Sequence, residues 1–297
     1  MPHRVVAAVA LVGLLASCGG VDSAAVVNGA VIRSADLEQT VTDFAAVGET
    51  EIVAGATDGE TVRGLLTSLI RAEVTNQVLA DASAIVTDDD RNSVRAELNL
   101  DAESGVPQTL IDLIIELNAA TLALGRVSPP TSEAIAERYD SNPKSLGMLC
   151  LRHLVVETKA IAKQARTELG SSPTDEQFAR VAGKYSVEPN AETSGGILSG
   201  QSGDCISLNE YQAGFDPDFV AGALDARTGV PTAPVQSTFG WHIIYVRPFD
   251  AVAESVTVNL NSAAGEYLLL GALADADINV ASRYGRWDPL AGSVVAP

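Results

Sequence analysis

The chain has 297 residues, of which 46% are hydrophobic, enough apolar material for one large or two ordinary packed domains, and this excludes a disordered chain. Lysine and arginine total 19 against 38 acidic residues, a net charge of −19. Phosphate contacts need a basic surface, so nucleic acid is excluded as a partner.

The chain opens on "MPHR", a short basic region, followed by "VVAAVALVGLLA", an apolar run too short to span a bilayer comfortably. The next residues, "LASC" at 15–18 followed by Gly19 and Gly20, resemble a bacterial lipobox. That resemblance implies a lipoprotein signal peptide over residues 1–17 and a lipid on Cys18. The protein is then expected to be exported and lipid-anchored at the outer face of the cytoplasmic membrane or on its periplasmic side. An ordinary secretory signal with an incidental cysteine predicts export as well. No other stretch of about 18 apolar residues occurs.

Beyond the anchor, "AAVVNGAVIRSADLEQTVTDF" reads as strand, Asn28-Gly29 turn, strand, and a helix opened by Ser34. Residues 45–60 read as loop. Residues 61–82 predict a helix, with Leu65, Leu66, Leu69, Ile70, Val74 and Val78 on one face. A third helix starts near "TDDD" and runs through Leu98. A fourth, "PQTLIDLIIELNAATLAL", is apolar over much of its surface and is expected to lie between others. Pro129 and Pro130 break the chain, and Thr131 or Ser132 caps the next helix, "EAIAERYDSN".

The periodicity then changes. "LCLRHLVVE" reads as a strand, and "TKAIAKQARTEL" and "PTDEQFARVAGKYS" as amphipathic helices. "SGGILSG" is a loop. "FDPDFVAGAL" is a helix with Asp216 as cap and Pro217 in the first turn, and "GWHIIYVRPF" is a strand. The turn-rich tail "RYGRWDPLAGSVVAP" is expected to wrap back on the helical body, with Tyr284 and Trp287 packed. A two-lobed solute-binding fold would show repeated βαβ units, and none is present.

If Cys18 is lipidated, Cys150 and Cys205 remain, an even pair that suggests a disulfide in an exported chain. Two free thiols are the alternative. With two histidines they could ligate a metal, but the spacing does not resemble a compact zinc motif, so neither metal nor cofactor is expected. His153 and His242 each adjoin an apolar strand. Taken singly, each reads as a structural histidine.

Five short motifs bring them together. "RHLVV", "KYS", "GGIL", "FDPDF" and "FGWHII" follow one another in an order and spacing that resembles the parvulin-type peptidyl-prolyl cis-trans isomerases. The resemblance covers about a third of the chain. The flanking segments "VVNGAVIRSADLEQ" and "SAAGEYLLLGALADADINV" resemble the chaperone part of SurA-like and PrsA-like exported foldases. The implied fold is α+β: a parvulin domain, a four-stranded antiparallel sheet with flanking helices, inserted at residues 148–250 into a helical body. That body would be formed by residues 18–147 and by a C-terminal helix and tail, 251–297.

The resemblance also implies a site. His153 and His242 match the family's two central histidines and form a polar floor. Phe215 and Phe219, spaced i, i+4 on the helix begun by Asp216, and Leu198 match the proline pocket. Glu188 stands where many parvulins carry Cys or Asp, and Ser237 at a position able to bond a histidine. Trp241 alternates to the other face of its strand and is expected to pack. The chain departs from the family at Ile197, which replaces the usual acid in "GGILSG", and in a longer loop that carries Cys205. A Cys150–Cys205 disulfide would pin that loop to the foot of the first strand. The loop after that strand has no basic cluster, so no phosphoserine-proline preference is expected.

The chemistry needs only such groups. Rotation about X–Pro faces a barrier of roughly 18–20 kcal/mol and breaks no bond. A protein lowers it by gripping the proline ring in an apolar pocket and placing polar groups beside the twisting amide. The expected activity is isomerisation of X–Pro bonds in unfolded or extended exported polypeptides. The alternative is a non-catalytic holdase that keeps the parvulin fold as a peptide clamp.

Overall fold

The computed structural model describes residues 23–99 and 105–297. The signal segment with His3, the lipobox and Cys18 lies outside the described residues. In chain order the first elements are β1 (Ser23–Val27), β2 (Ala30–Arg33), α1 (Ser34–Ala46), α2 (Gly59–Asp81), α3 (Asp88–Leu98), α4 (Gln108–Leu124) and α5 (Ser132–Ser141). A 3-10 turn, Pro143–Leu146, leads to β3 (Met148–Leu149), β4 (Leu151–Val156), α6 (Lys159–Leu169), α7 (Asp175–Tyr185) and α8 (Ala191–Ser194). Then come β5 (Ile206–Ser207), α9 (Leu208–Gly214), α10 (Pro217–Leu224), β6 (Val235–Ser237) and β7 (Gly240–Val246). The chain ends with α11 (Phe249–Asp275), β8 (Ile278–Val280), β9 (Arg286–Asp288) and β10 (Ser293–Val295).

Both ends of the described chain build one helical body. The β1–β2 hairpin turns at Asn28 and Gly29, whose φ of 50° and 89° suit a two-residue hairpin turn. β8 pairs with the free edge of β1, so a C-terminal strand completes an N-terminal sheet. Ser34 is the first residue of α1 rather than its cap. Its hydroxyl instead accepts from Arg283 at 2.6 Å. α2 buries Leu66, Ile70 and Val74 completely, at helical spacing, in a core shared with α11. The β9–β10 hairpin lies on this body: Val294 N donates to Thr67 Oγ1, and Tyr284 and Trp287 pack on the core.

The connection out of the body is tight. A Cβ on Gly147 would lie 1.9 Å from the Tyr267 carbonyl oxygen, and one on Gly271 would lie 2.1 Å from that of Ser145. Backbone meets backbone there, and only glycine permits it.

β4 and β7 pair antiparallel from Leu151↔Val246 to Val156↔Trp241, and β6 adds to the far edge of β7. One face of this sheet carries Leu154, Val156, Ile243 and Tyr245 against α6 and α7, with Phe178 stacked on Tyr245 at 4.9 Å. The other face carries the two histidines and meets α10.

Three strands pair continuously where the resemblance implies four. The fourth place, beside β4, is broken in two. Ile197 forms an isolated bridge with Arg152, flanked by His153 N donating to Gly196 O and Leu198 N to Leu151 O. β5 then pairs with β3 further along. The long loop between them, residues 199–205, interrupts the ladder. Cys205 at its end is disulfide-bonded to Cys150, and both are fully buried.

A buried ion network holds this side of the sheet. Asp175 accepts two hydrogen bonds from Arg152, at 2.8 and 2.7 Å, and two from Arg247, at 3.1 and 3.3 Å. Arg152 Nη1 also donates to the carbonyls of Ser194 and Gly195, at the turn before Leu198. Burial opposes ionisation of Asp175, but the two guanidiniums outweigh it and keep the carboxyl below its usual range. Removing one partner of such a group strands the others in a dry interior. Asp175→Ala, which takes the shared carboxylate from two buried guanidiniums and leaves Arg152 its carbonyl contacts and Arg247 the longer 3.4 Å contact with Asp204, is expected to cost about 3 kcal/mol, read as a lower urea midpoint with a preserved m-value.

Candidate functional site

The β4–β7 register creates the floor. Val155 is paired with His242 and His153 with Ile244, so the two imidazoles are diagonal neighbours on one face. Their rings stack at 14° with centroids 5.5 Å apart, and their Nδ1 atoms are 3.3 Å apart. Both residues are buried. Phe219 stands edge-on to both rings, with centroids 5.4 Å from His153 and 5.1 Å from His242.

Phe239 N donates to Ser237 Oγ at 3.0 Å, and the same oxygen lies 2.7 Å from His242 Nε2. With the serine hydroxyl donating to His242 Nε2, His242 carries its proton on Nδ1 and donates to His153 Nδ1, and the His153 proton is then on Nε2, on the side of Glu188. Glu188 Oε2 is 3.0 Å from that nitrogen but off the line of the ring N–H, so the contact is electrostatic rather than a linear hydrogen bond. The histidine contact holds the Glu188 carboxyl below its usual range against partial burial.

The apolar wall comes from α10 and the residue before it. Asp216 caps α10 by accepting from Asp218 N at 3.0 Å. Phe219 is on the helix. Phe215 is not, contrary to the spacing argument: it precedes the cap in extended backbone. The two rings nonetheless stack, with centroids 5.7 Å apart, and Tyr211 supports Phe215 at 4.8 Å. Leu198 closes the wall from the glycine turn. The result is an open cleft of about 390 Å³ lined by these side chains together with Val187, Pro189 and Phe239.

The structure therefore brings His153, His242, Glu188, Phe215, Phe219 and Leu198 to one cleft. Ser237 stands behind His242 and does not line it, so its place is that of a positioning residue. Cys150 and Cys205 are joined to each other, away from the histidines. Among the described residues no group of three or more His, Cys, Asp or Glu side chains is placed to hold a metal. Sequence reasoning missed several cleft residues, of which Asp216 and Phe239 bear most on its chemistry. Asp216 was read only as a helix cap, yet its Oδ2 also accepts from Thr238 N and Oγ1. Phe239 stands 76% exposed at the lip, and its only cue is its place before the Gly240 turn. Larger clefts of about 610 and 850 Å³ lie in the helical body, without a histidine or aromatic side chain among their linings.

Residues 154–248, which include the cleft residues except His153, match the rotamase family, the PPIC-type PPIase domain. The chain is 29% identical over 158 residues to the foldase protein PrsA of Clostridium kluyveri, covering 49% of this chain and 43% of that protein. It is 34% identical over 138 residues to the foldase protein PrsA of Clostridium botulinum, covering 42% and 38%. The chain thus spans less than half the length of these curated relatives. Among solved structures, PrsA from Bacillus subtilis is 20% identical, with a TM-score of 0.29 over 73% of this chain and 84% of that one. A SurA-like chaperone of Campylobacter jejuni is 19% identical, with a TM-score of 0.29 over 83% and 93%.

Burial first, and then the neighbouring His153, push the His242 imidazole down from 6.5 to about 4. The sign follows. An unfolded chain protonates this histidine as pH falls through 6.5, whereas the folded one resists until about 4. The stability it contributes is full above 6.5 and is lost as pH falls through 4. The urea midpoint is expected to drop across this window, and His242→Asn to flatten the drop, measured by denaturation at pH 7, 5.5 and 4.5.

Proposed function

We propose that this chain is an extracytoplasmic peptidyl-prolyl cis-trans isomerase and foldase that assists exported proteins and is tethered by a lipid on Cys18. The observation that carries the reading is the stacked His153–His242 pair beneath the Phe215–Phe219 wall; all of these but His153, which immediately precedes it, lie in the rotamase match. The lipobox-like "LASC" supports the tether. Among the described residues no helix is long and apolar enough to cross a membrane.

In this reading the proline ring enters between Phe215, Phe219 and Leu198, which exclude water from the amide. His153 presents its Nε2–H to the amide carbonyl as the bond twists and resonance is lost. Its donor is only loosely engaged by Glu188, so it can turn to a carbonyl without breaking a linear hydrogen bond. His242 holds the tautomer of His153 and is itself oriented by Ser237. No proton need leave any residue, and the gain is a pocket already arranged for the twisted state.

A second reading, a holdase without catalysis, is favoured by the large clefts of the helical body, which offer extended chain a binding surface independent of the histidines. The two readings separate on the soluble form that begins after Cys18. Its catalysis of cis-to-trans exchange in short X–Pro peptides is expected to be real, and Phe219→Ala to lower kcat/KM roughly tenfold or more, with the folded circular-dichroism spectrum kept. No catalysis in either form, with aggregation of an unfolded client still suppressed, would establish the holdase instead.

A further inference from the structure

The apolar wall accounts for a proline ring but is indifferent to its neighbour. The charged groups that line the same cleft are Glu188 and Asp216, and no lysine or arginine lines it. We propose that the cleft selects X–Pro segments with a cationic residue beside the proline, and that Glu188 and Asp216 determine this specificity. The proposal rests on the isomerase reading of that cleft.

Four observations carry it. First, neither carboxylate is neutralised by a cation. Asp216 is held by amide and hydroxyl donors from Thr238 and Asp218, and Glu188 by an imidazole. These neutral donors favour the ionised form of Asp216 and leave its charge in place. Second, nearby basic side chains are engaged elsewhere: Arg152 and Arg247 with Asp175 across the sheet, Lys184 with Glu168, and Lys159 over the Trp241 ring. The two carboxylates therefore set the sign of the field at the mouth of the cleft, where solvent and salt reach them.

Third, the exposed ring of Phe239 lies on the same lip. It offers a surface to the aliphatic stem of a lysine or arginine and a π-face to its charge. Fourth, the acids flank the apolar wall: Asp216 is adjacent to Phe215 and caps the helix that carries Phe219, and Glu188 Oε2 is 3.0 Å from His153 Nε2 on the floor. A proline ring against that wall brings the neighbouring side chain close to both acids. An acidic or phosphorylated neighbour meets the same two charges as repulsion.

The test uses peptides of the form Ala-Xaa-Pro-Phe with lysine, alanine or glutamate as Xaa. Both kcat/KM and affinity would be measured, the latter by anisotropy of labelled peptides. At low ionic strength lysine is expected to exceed glutamate roughly tenfold in kcat/KM, with the ratio shrinking in about 0.5 M salt. Asp216→Asn keeps a competent helix cap, and both it and Glu188→Gln are expected to shrink the ratio, while Glu188→Asp preserves it. Lysine and glutamate within twofold of each other, or glutamate preferred, in an active protein would overturn the proposal. If no peptide is turned over, the isomerase reading fails on its own account. The affinities then decide the charge preference: tighter binding of the lysine peptide sustains it, and equal binding ends it.

Discussion

The register between β4 and β7 is the constraint on which the site depends. Side chains alternate faces along a strand, so a slip of one residue exchanges everything above the sheet for everything below. Here the slip would bring the Arg152 guanidinium toward the aromatic wall and push His153 toward α7. The Arg152–Asp175 pair opposes that exchange, because it is satisfied only on the α7 face. The hydrophobic pattern acts in the same sense: Leu154, Val156, Ile243 and Tyr245 fill one core on that face, while Ile244 and Val246 belong to another. A buried ion network on one side of the sheet thus aligns two imidazoles on the other.

Of the two, His242 sits in a place that disfavours charge. Two stacked rings, a phenylalanine edge against each, and scant solvent make protonation of His242 costly. The site is therefore built from dipoles, with the one formal charge in contact, Glu188, at its margin. For twisting an amide this is suitable. The charge distribution that changes is modest, and fixed donors in a dry pocket need no reorganisation as it does so. Ser237 matters because it sets the direction of the chain of protons. When its hydroxyl donates to His242, the series runs through both Nδ1 atoms and ends at His153 Nε2, which is buried beside Glu188.

The sequence made part of this legible and hid the rest for identifiable reasons. His153 and His242 were traceable because each lies in a short apolar strand with its motif intact, and strand period alone puts Trp241 on the face away from His242. The expected helical stacking of Phe215 on Phe219 rests on an i, i+4 count carried across the helix start that Asp216 and Pro217 mark. Proline at the first turn makes Asp216 the cap, so Phe215 falls outside the helix and reaches its neighbour from extended backbone. The fourth strand was obscured by Ser199–Asp204 contacts and the disulfide, which gather the long loop into a structure of its own. Phe239 and the second role of Asp216 depend on a turn meeting a helix cap 22 residues away in sequence, a contact no local pattern encodes.

The junction between the sheet and the helical body has the marks of a stiff one. The chain leaves the body at Gly147, where α11 crosses at backbone contact, and returns at Phe249, where Arg247 N donates to Cys150 O and Tyr139 Oη donates to Arg247 O. The two crossings are thus bonded to each other and to α5. The disulfide lies beside them, and Asn259 of α11 donates to the Cys205 carbonyl. The core continues across: Phe219, Val220 and Ile244 belong to the same apolar cluster as Leu66, Ile70 and Val256. Domains within a chain move freely when their interface is small and polar. This one is apolar, covalently stapled and closed by glycine contacts. The histidine cleft and the clefts of the body are accordingly parts of one frame, and under the proposed function a client that engaged both would have to conform to the spacing that frame imposes.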